Sequence, residues 1–529
     1  MQTGSAGSKS RGCRTCRRRK KGCDRAQPSC NQCLSANLVC GGYEQDFVWV
    51  NATTEEPEKR RDQTRRGPWQ VRYATQSTPE TSIVLRDSLA RTAREVKYLG
   101  SFWSAYLPNG RAFSNQAIKR SNGGWTGSLG RLYDSEPTLR LAALAISASV
   151  LGCQADDTQL RIKGLQTYSK ALEEMKIALN HPTRWKGDGL LAAVRVMELY
   201  EIFFGMDTRH RTEITSQISG WRSHNDGLLS LVLAKGPKNV GSGAGHQLFA
   251  DCRLNIFCGV LTKRIRSPLS DEEWKTLPWI GREKSTNDKI MDILVDMTGL
   301  LEQLDNLRAS SPSEAAGLLP PILTLCKTSH DALLVFEQEM GDNLFTFDCH
   351  IMGDILPLPR EDKDVAHLQI THLYWSTCLL LYSTLGTVIA MQGSEAARLQ
   401  QRVSEAFDQF GDSFSKRYPR TDPKLYTTKI ARSISLFWEP DAGTYGNHMS
   451  MFPLALCMQF LAATDPNFRM NKDFQLLTEV FHRPFLGQLV GSFVRNLGRV
   501  GGTSGKSDPE WKGDDDVASM WWGGKATNI

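Results

Sequence analysis

Residues 13–40 read CRTCRRRKKGCDRAQPSCNQCLSANLVC. Six cysteines fall in this stretch, and their spacing repeats. Cys13, Cys16 and Cys23 follow C-x2-C-x6-C, and Cys30, Cys33 and Cys40 follow the same rule 17 residues later. A C-x2-C pair presents two thiolates to one tetrahedral metal from a single tight turn. Six thiolates are too few for two independent four-coordinate zinc ions. They suffice if two of them bridge both metals, so the spacing favours a binuclear cluster with two Zn²⁺ per chain. A disulfide framework would need an oxidising compartment. Met1 to Ser10 is polar and small, so no secretory signal is expected. A metal buffer would leave the 489 residues after Cys40 without a role.

What lies between the cysteines narrows the purpose of the metal. Residues 1–42 hold nine basic residues (Lys9, Arg11, Arg14, Arg17, Arg18, Arg19, Lys20, Lys21 and Arg25) and one acid, Asp24. Their formal charge is +8 against +7 for the whole chain, so the remaining 487 residues carry about −1. Two Zn²⁺ with six thiolates add −2, leaving the loaded module near +6. Such a concentrated patch attracts a polyanion, and nucleic-acid phosphate is the usual one. A nuclear-import signal has no need of a basic run locked between metal ligands.

The segments CRTCRRRKKGCD, RAQPSC and NQCLSANLVC resemble the fungal binuclear zinc cluster family of transcription factors. The resemblance implies that Cys13 and Cys30 bridge. One zinc would take Cys13, Cys16, Cys23 and Cys30, and the other Cys30, Cys33, Cys40 and Cys13. It places Pro28 in the loop joining the halves. It implies that the first short helix enters the major groove at a CGG-type triplet, with Arg19 and Lys20 reading bases. Guanine contacts from Arg or Lys are the commonest specific base contacts. Arg14, Arg17, Arg18, Lys21 and Arg25 are then expected on phosphates, which position without specifying sequence. A helix starting at the first C-x2-C would project Arg17 to Lys21 around its exposed side, with Gly22 as its stop. Family members often carry a lysine where this chain has Gly22.

The expected organisation is a cluster domain over 1–42, a linker over 43–81, an all-α domain over 82–500 and an acidic, aromatic tail over 501–529. Pro57, Pro68 and Pro79 interrupt the linker, and no heptad pattern runs through it, so coiled-coil dimerisation there is not expected. Monomeric binding and dimerisation through the larger domain both stay open. Beyond residue 82 the apolar period is helical. Leu85, Leu89, Val96, Leu99 and Trp103 suit one face. Pro137–Leu151 reads as a core helix too short to span a bilayer. Leu165, Tyr168, Leu172, Met175 and Leu179 suit an amphipathic helix, and Asp188 can cap Gly189–Phe204. Similar patterns recur at 226–234, 246–263, 289–308, 315–340, 364–391 and 396–415. The stretches 187–205, 221–237 and the helix from His246 to SPLSDEEW (267–274) resemble the helical fungal-specific transcription factor domain, a regulatory region.

Catalytic patterns are absent from the sequence: there is no P-loop lysine motif, nucleophile elbow or H-E-x-x-H. The seven other cysteines form no C-x2-C pair and read as buried thiols. His367 and His372 are five apart, a poor spacing for shared metal binding, and His224 reads as a packing residue. Residues 508–522, DPEWKGDDDVASMWW, fit either an activation segment or a tail whose tryptophans dock on the body. The sequence therefore leads to a nuclear regulator of RNA polymerase II transcription that is not an enzyme. Its expected partners are double-stranded DNA and the transcription machinery, with no membrane. The resemblance also allows a pathway-specific regulator of a metabolic gene cluster. The competing reading is a co-regulator or scaffold whose zinc module binds protein or RNA.

Overall fold

A computed structural model describes residues 13–24, 26, 29–38, 40, 87–205, 216–241, 243–407, 420–482 and 493–494. The linker 43–81, the tail 501–529, Leu85, Arg25 and Pro28 lie outside these, as do the side chains of Arg14, Arg17 and Leu89. The chain divides into two compact units, 1–84 and 85–529. All regular structure among the described residues is helical.

The first unit holds two short helices, α1 (Arg14–Arg18) and α2 (Asn31–Leu34). The second holds the longer helices α3 (Asp87–Tyr106), α4 (Pro137–Gln154), α5 (Thr158–Asn180), α6 (Asp188–Phe204), α7 (Ser216–Lys235) and α8 (Gly243–Leu261). These are followed by α9 (Thr286–Ala309), α10 (Pro312–Met340), α11 (Asp362–Ala390), α12 (Ala396–Phe407), α13 (Pro423–Ser433) and α14 (Gly443–Thr464). One contiguous apolar core runs through this unit. At its centre α11 packs against α9, α10, α13 and α14. This helix is long and apolar enough to cross a membrane, but 83% of its most apolar 18-residue window is buried inside the body. Its apolar surface is matched by other helices on all sides.

Two apolar stripes differ from the expected ones. On α3 the buried face is Phe102 and Tyr106 flanked by Leu99 and Trp103, while Val96 is 64% exposed. At about 100° per residue, Val96 falls outside the arc centred on Phe102 and Tyr106. On α5 the buried seam is Gly164, Tyr168, Ala171, Met175 and Ala178, and Leu172 and Leu179 face outward. The cause is close approach to α4: a Cβ on Gly164 would lie 2.2 Å from Ser149 Oγ. Small residues let the two helices touch, and the leucines on the wider flank are left uncovered. Asp188 does not cap α6. Gly187 is the N-cap, and the Asp188 carboxylate pairs with Lys235 at 2.7 Å.

A buried polar network crosses the core behind α6. Arg195 Nη1 donates to Glu198 Oε2 at 2.6 Å, with both side chains 1% exposed. The other oxygen, Glu198 Oε1, accepts from Asn225 Nδ2 at 3.2 Å and Asn255 Nδ2 at 2.5 Å. Both Glu198 oxygens are satisfied in this way, which offsets part of the cost of burying the pair, while Arg195 Nε has no hydrogen-bond partner among the described residues.

Candidate metal centre and nucleic-acid interface

Each half of the first unit builds one short helix directly after a cysteine. Helix α1 starts after Cys13 and α2 after Cys30, so C-x2-C places the second sulfur about one turn further along the same helix. Cys13 Sγ lies 3.6 Å from Cys30 Sγ and 3.7 Å from Cys33 Sγ, and Cys16 Sγ lies 3.6 Å from Cys30 Sγ. A disulfide would need about 2.05 Å, and all six thiols are free. Zinc–sulfur bonds of about 2.3 Å in a tetrahedron set neighbouring sulfurs ~3.8 Å apart. Two groups of four sulfurs cluster within 4.8 Å of one another: Cys13, Cys16, Cys23 and Cys30, and Cys13, Cys30, Cys33 and Cys40. Cys13 and Cys30 are common to both. These are the two quartets that the resemblance implies.

The donor set fits zinc. Backbone N–H groups of Cys16 and Cys13 point at Cys13 Sγ and Cys23 Sγ, each at 3.3 Å, and favour the charged form of the acceptor. Crowding works the other way: desolvation pushes the Cys16 thiol up to about 12 and the Cys30 thiol higher still. A divalent cation reverses that balance, since a coordinating thiol is deprotonated outright.

The repeat extends from the cysteines to the backbone. Lys20 has φ +53° and Asn37, 17 residues later, has φ +51°. Lys21 N–H donates to Cys16 O at 3.0 Å, and Leu38 N–H donates to Cys33 O at 2.9 Å. Both helices thus end in the same left-handed turn, with an N–H reaching back five residues. Helix α1 ends at Arg18 and turns through left-handed Lys20, not at Gly22, which has no positive φ. Arg19 and Lys20 therefore sit on the turn that closes α1, not on its flank. Arg19 N–H still bonds Thr15 O at 3.1 Å.

Arg18, Arg19, Lys20 and Lys21 are all exposed, and Thr15 is buried beneath them. No ion pair holds these four among the described residues. The corresponding positions of the second half are Ser35, Ala36, Asn37 and Leu38, also exposed and uncharged. The sequence counts Asp24 as the one acid of residues 1–42 without giving it a contact. Asp24 accepts from Asn31 N at 3.1 Å and from Asn31 Nδ2 at 2.7 Å, at the start of α2. The one acid of residues 1–42 is thus tied to the uncharged half. Its signal was its isolation among nine bases, right after Cys23.

The seven cysteines of the second unit are buried or half-buried and unbridged. Burial pushes Cys252, Cys326 and Cys378 up to about 12. His372 donates to or accepts from Ser433 Oγ at 3.0 Å, and His224 contacts the Tyr168 hydroxyl at 2.7 Å. Both are packing residues on helices, and burial lowers their pKa to about 3 and about 4.

Residues 11–49 match the fungal Zn(2)-Cys(6) binuclear cluster domain. The chain carries this zinc-binding, DNA-binding module at that position, followed by a helical body. Over 46 residues it is 44% identical to arginine metabolism regulation protein II of Saccharomyces cerevisiae, covering 9% of this chain and 5% of that protein. The likeness thus spans a small fraction of either chain. No solved structure matches the chain.

Proposed function

We propose that this protein is a nuclear, sequence-specific DNA-binding regulator of RNA polymerase II transcription and not an enzyme. Cys13, Cys16, Cys23, Cys30, Cys33 and Cys40 hold two Zn²⁺, with Cys13 and Cys30 shared. The observation that carries the reading is the exposed, unneutralised run Arg18–Lys21 fixed between two metal-site cysteines. Arg19 and Lys20 read a CGG-type element, and Arg14, Arg17, Arg18, Lys21 and Arg25 contact phosphates. The backbone at Lys20 supports its role. A left-handed conformation costs a lysine roughly 1 kcal/mol that glycine avoids, and the matching position of the other half carries Asn37, which tolerates it better. A lysine kept there points to a use for its side chain.

The body is read as a fungal-specific transcription factor domain over 82–500, joined through a 43–81 linker to the cluster domain of 1–42 and followed by a tail over 501–529. It regulates the response and offers a surface for homodimerisation and for the transcription machinery. Control of metabolic genes is the role to which the name of the yeast relative points.

The test is selection from random duplexes by the zinc-loaded full-length protein. Enrichment of a CGG-containing element, lost on chelation, is the expected result. Retention of all duplexes equally, with a protein or RNA partner bound tightly, would instead establish a co-regulator.

A further inference from the structure

Three consecutive residues of the second unit bring an oxygen, a sulfur and a nitrogen together: Asp348, Cys349 and His350. They stand at the start of a one-turn helix, Cys349–Met352, that precedes α11. Asp348 is its extended N-cap, and the carboxylate folds back over the first turn to accept from His350 N–H at 2.9 Å. That fold carries Asp348 Oδ1 to the side chains of the next two residues. The three donor atoms all lie within 4.8 Å of one another.

His350 Nδ1 lies 3.5 Å from Cys349 Sγ and 3.4 Å from Asp348 Oδ1. The second distance exceeds an ordinary N–H···O bond of about 2.7–3.2 Å. Both match the edges of a metal tetrahedron. With Zn–S of about 2.3 Å and Zn–N and Zn–O of about 2.0–2.1 Å, nitrogen and sulfur sit ~3.5 Å apart and nitrogen and oxygen ~3.4 Å. The carboxylate is fixed from its other side: Lys429 Nζ, on α13, pairs with Asp348 Oδ2 at 2.8 Å and leaves Oδ1 to the triad. Carboxylates that ligate metals are themselves held by hydrogen bonds in this way. Asp348 and Cys349 are buried and the His350 side chain is 31% exposed, so the triad opens to solvent on its His350 side. A Cys349 thiolate and the Asp348 carboxylate together neutralise a dication.

We propose that Asp348 Oδ1, Cys349 Sγ and His350 Nδ1 bind one Zn²⁺, with water in the fourth position. A mixed oxygen, sulfur and nitrogen donor set suits zinc, and three protein ligands leave one coordination position open. The site shares no ligand with the six-cysteine cluster. A proton competes for it: hydrogen bonding to Asp348 and Cys349 pushes the His350 pKa up to about 9. Displacing that proton at pH 7 lowers the affinity about a hundredfold. With that competition, and three protein ligands where each cluster quartet has four, the site fills after the cluster.

The probe is Co²⁺, titrated into the full-length protein after its cysteine cluster has been filled with zinc. Cobalt binds a given site more weakly than zinc, so the cluster keeps its metal. A saturable thiolate-to-cobalt charge-transfer band, complete at one cobalt per chain, is expected, and one further equivalent of Zn²⁺ should abolish it. Cys349→Ser should remove the band, and His350→Gln should weaken cobalt binding at least about tenfold. With zinc in excess, the unsubstituted chain should hold one more zinc ion than either variant by mass spectrometry. The absence of a saturable band overturns the inference. So does an unchanged band in Cys349→Ser, which would place the metal on another cysteine, or unchanged affinity in His350→Gln, with melting curves showing each variant folded. If Cys349→Ser does not fold, His350→Gln, at a partly exposed position, decides.

Discussion

The two halves of the cysteine module share a backbone and differ in everything hung on it. Each has a cysteine, a short helix and a left-handed turn, at Lys20 in one and Asn37 in the other. The first exposes Arg18 to Lys21, and the second exposes Ser35 to Leu38 with Asp24 bound at its helix start. A duplicated metal frame has been given charge on one side only. Metal binding should therefore depend on both halves equally, and nucleic-acid recognition on one.

The largest effect tests the equality. Cys30→Ala removes a ligand common to both quartets and should unfold the whole module, because metal binding and folding are one equilibrium here. Cys13→Ala should do the same. Zinc content by mass spectrometry checks both: a variant that still holds two zinc ions per chain would falsify the shared assignment. Next comes the asymmetry. Lys20→Ala should cost about 1–3 kcal/mol of discrimination against the wrong base, whereas Asn37→Ala should leave discrimination unchanged and lower only stability. Titration of specific and random duplexes separates these outcomes, and equal weakening on both duplexes by Lys20→Ala would remove its reading role. Asp24→Ala should cost about 1 kcal/mol by releasing the start of α2, seen as easier zinc loss to a chelator with base preference intact. The smallest effect is on salt. Arg18→Ala should weaken all duplexes alike and reduce the slope of log affinity against log salt by about 1.

The cysteine spacing made the six clustered thiols legible because each C-x2-C pair is a local constraint within one helical turn, whereas the grouping into two sulfur quartets was implied only by the family resemblance. The helix stop was misplaced for a related reason. Gly22 is the residue that adopts a left-handed turn most easily, but the sulfur geometry fixes the turn two residues earlier, on Lys20. In the body, the helices between α4 and α11 follow from apolar periodicity. Helices α13 and α14 escaped it; α14 is buried nearly all round and contains Pro453, so neither period nor breaker rules point to it. The α5 seam was hidden because glycine and alanine mark a close contact only when the partner helix is known. Asn255 and Glu198 lie on different helices, and no sequence pattern joins them.

Helix α11 has a consequence for how the chain is made. While the ribosome is still delivering α13 and α14, the 29-residue helix α11 already exists without half of its neighbours. A nascent segment of that length and hydropathy leaves apolar surface uncovered, which is what makes such intermediates aggregation-prone and chaperone-dependent. Folding of this chain then depends on how soon the last helices arrive to cover it. Truncations that remove them should turn a DNA-binding protein into a client of quality control.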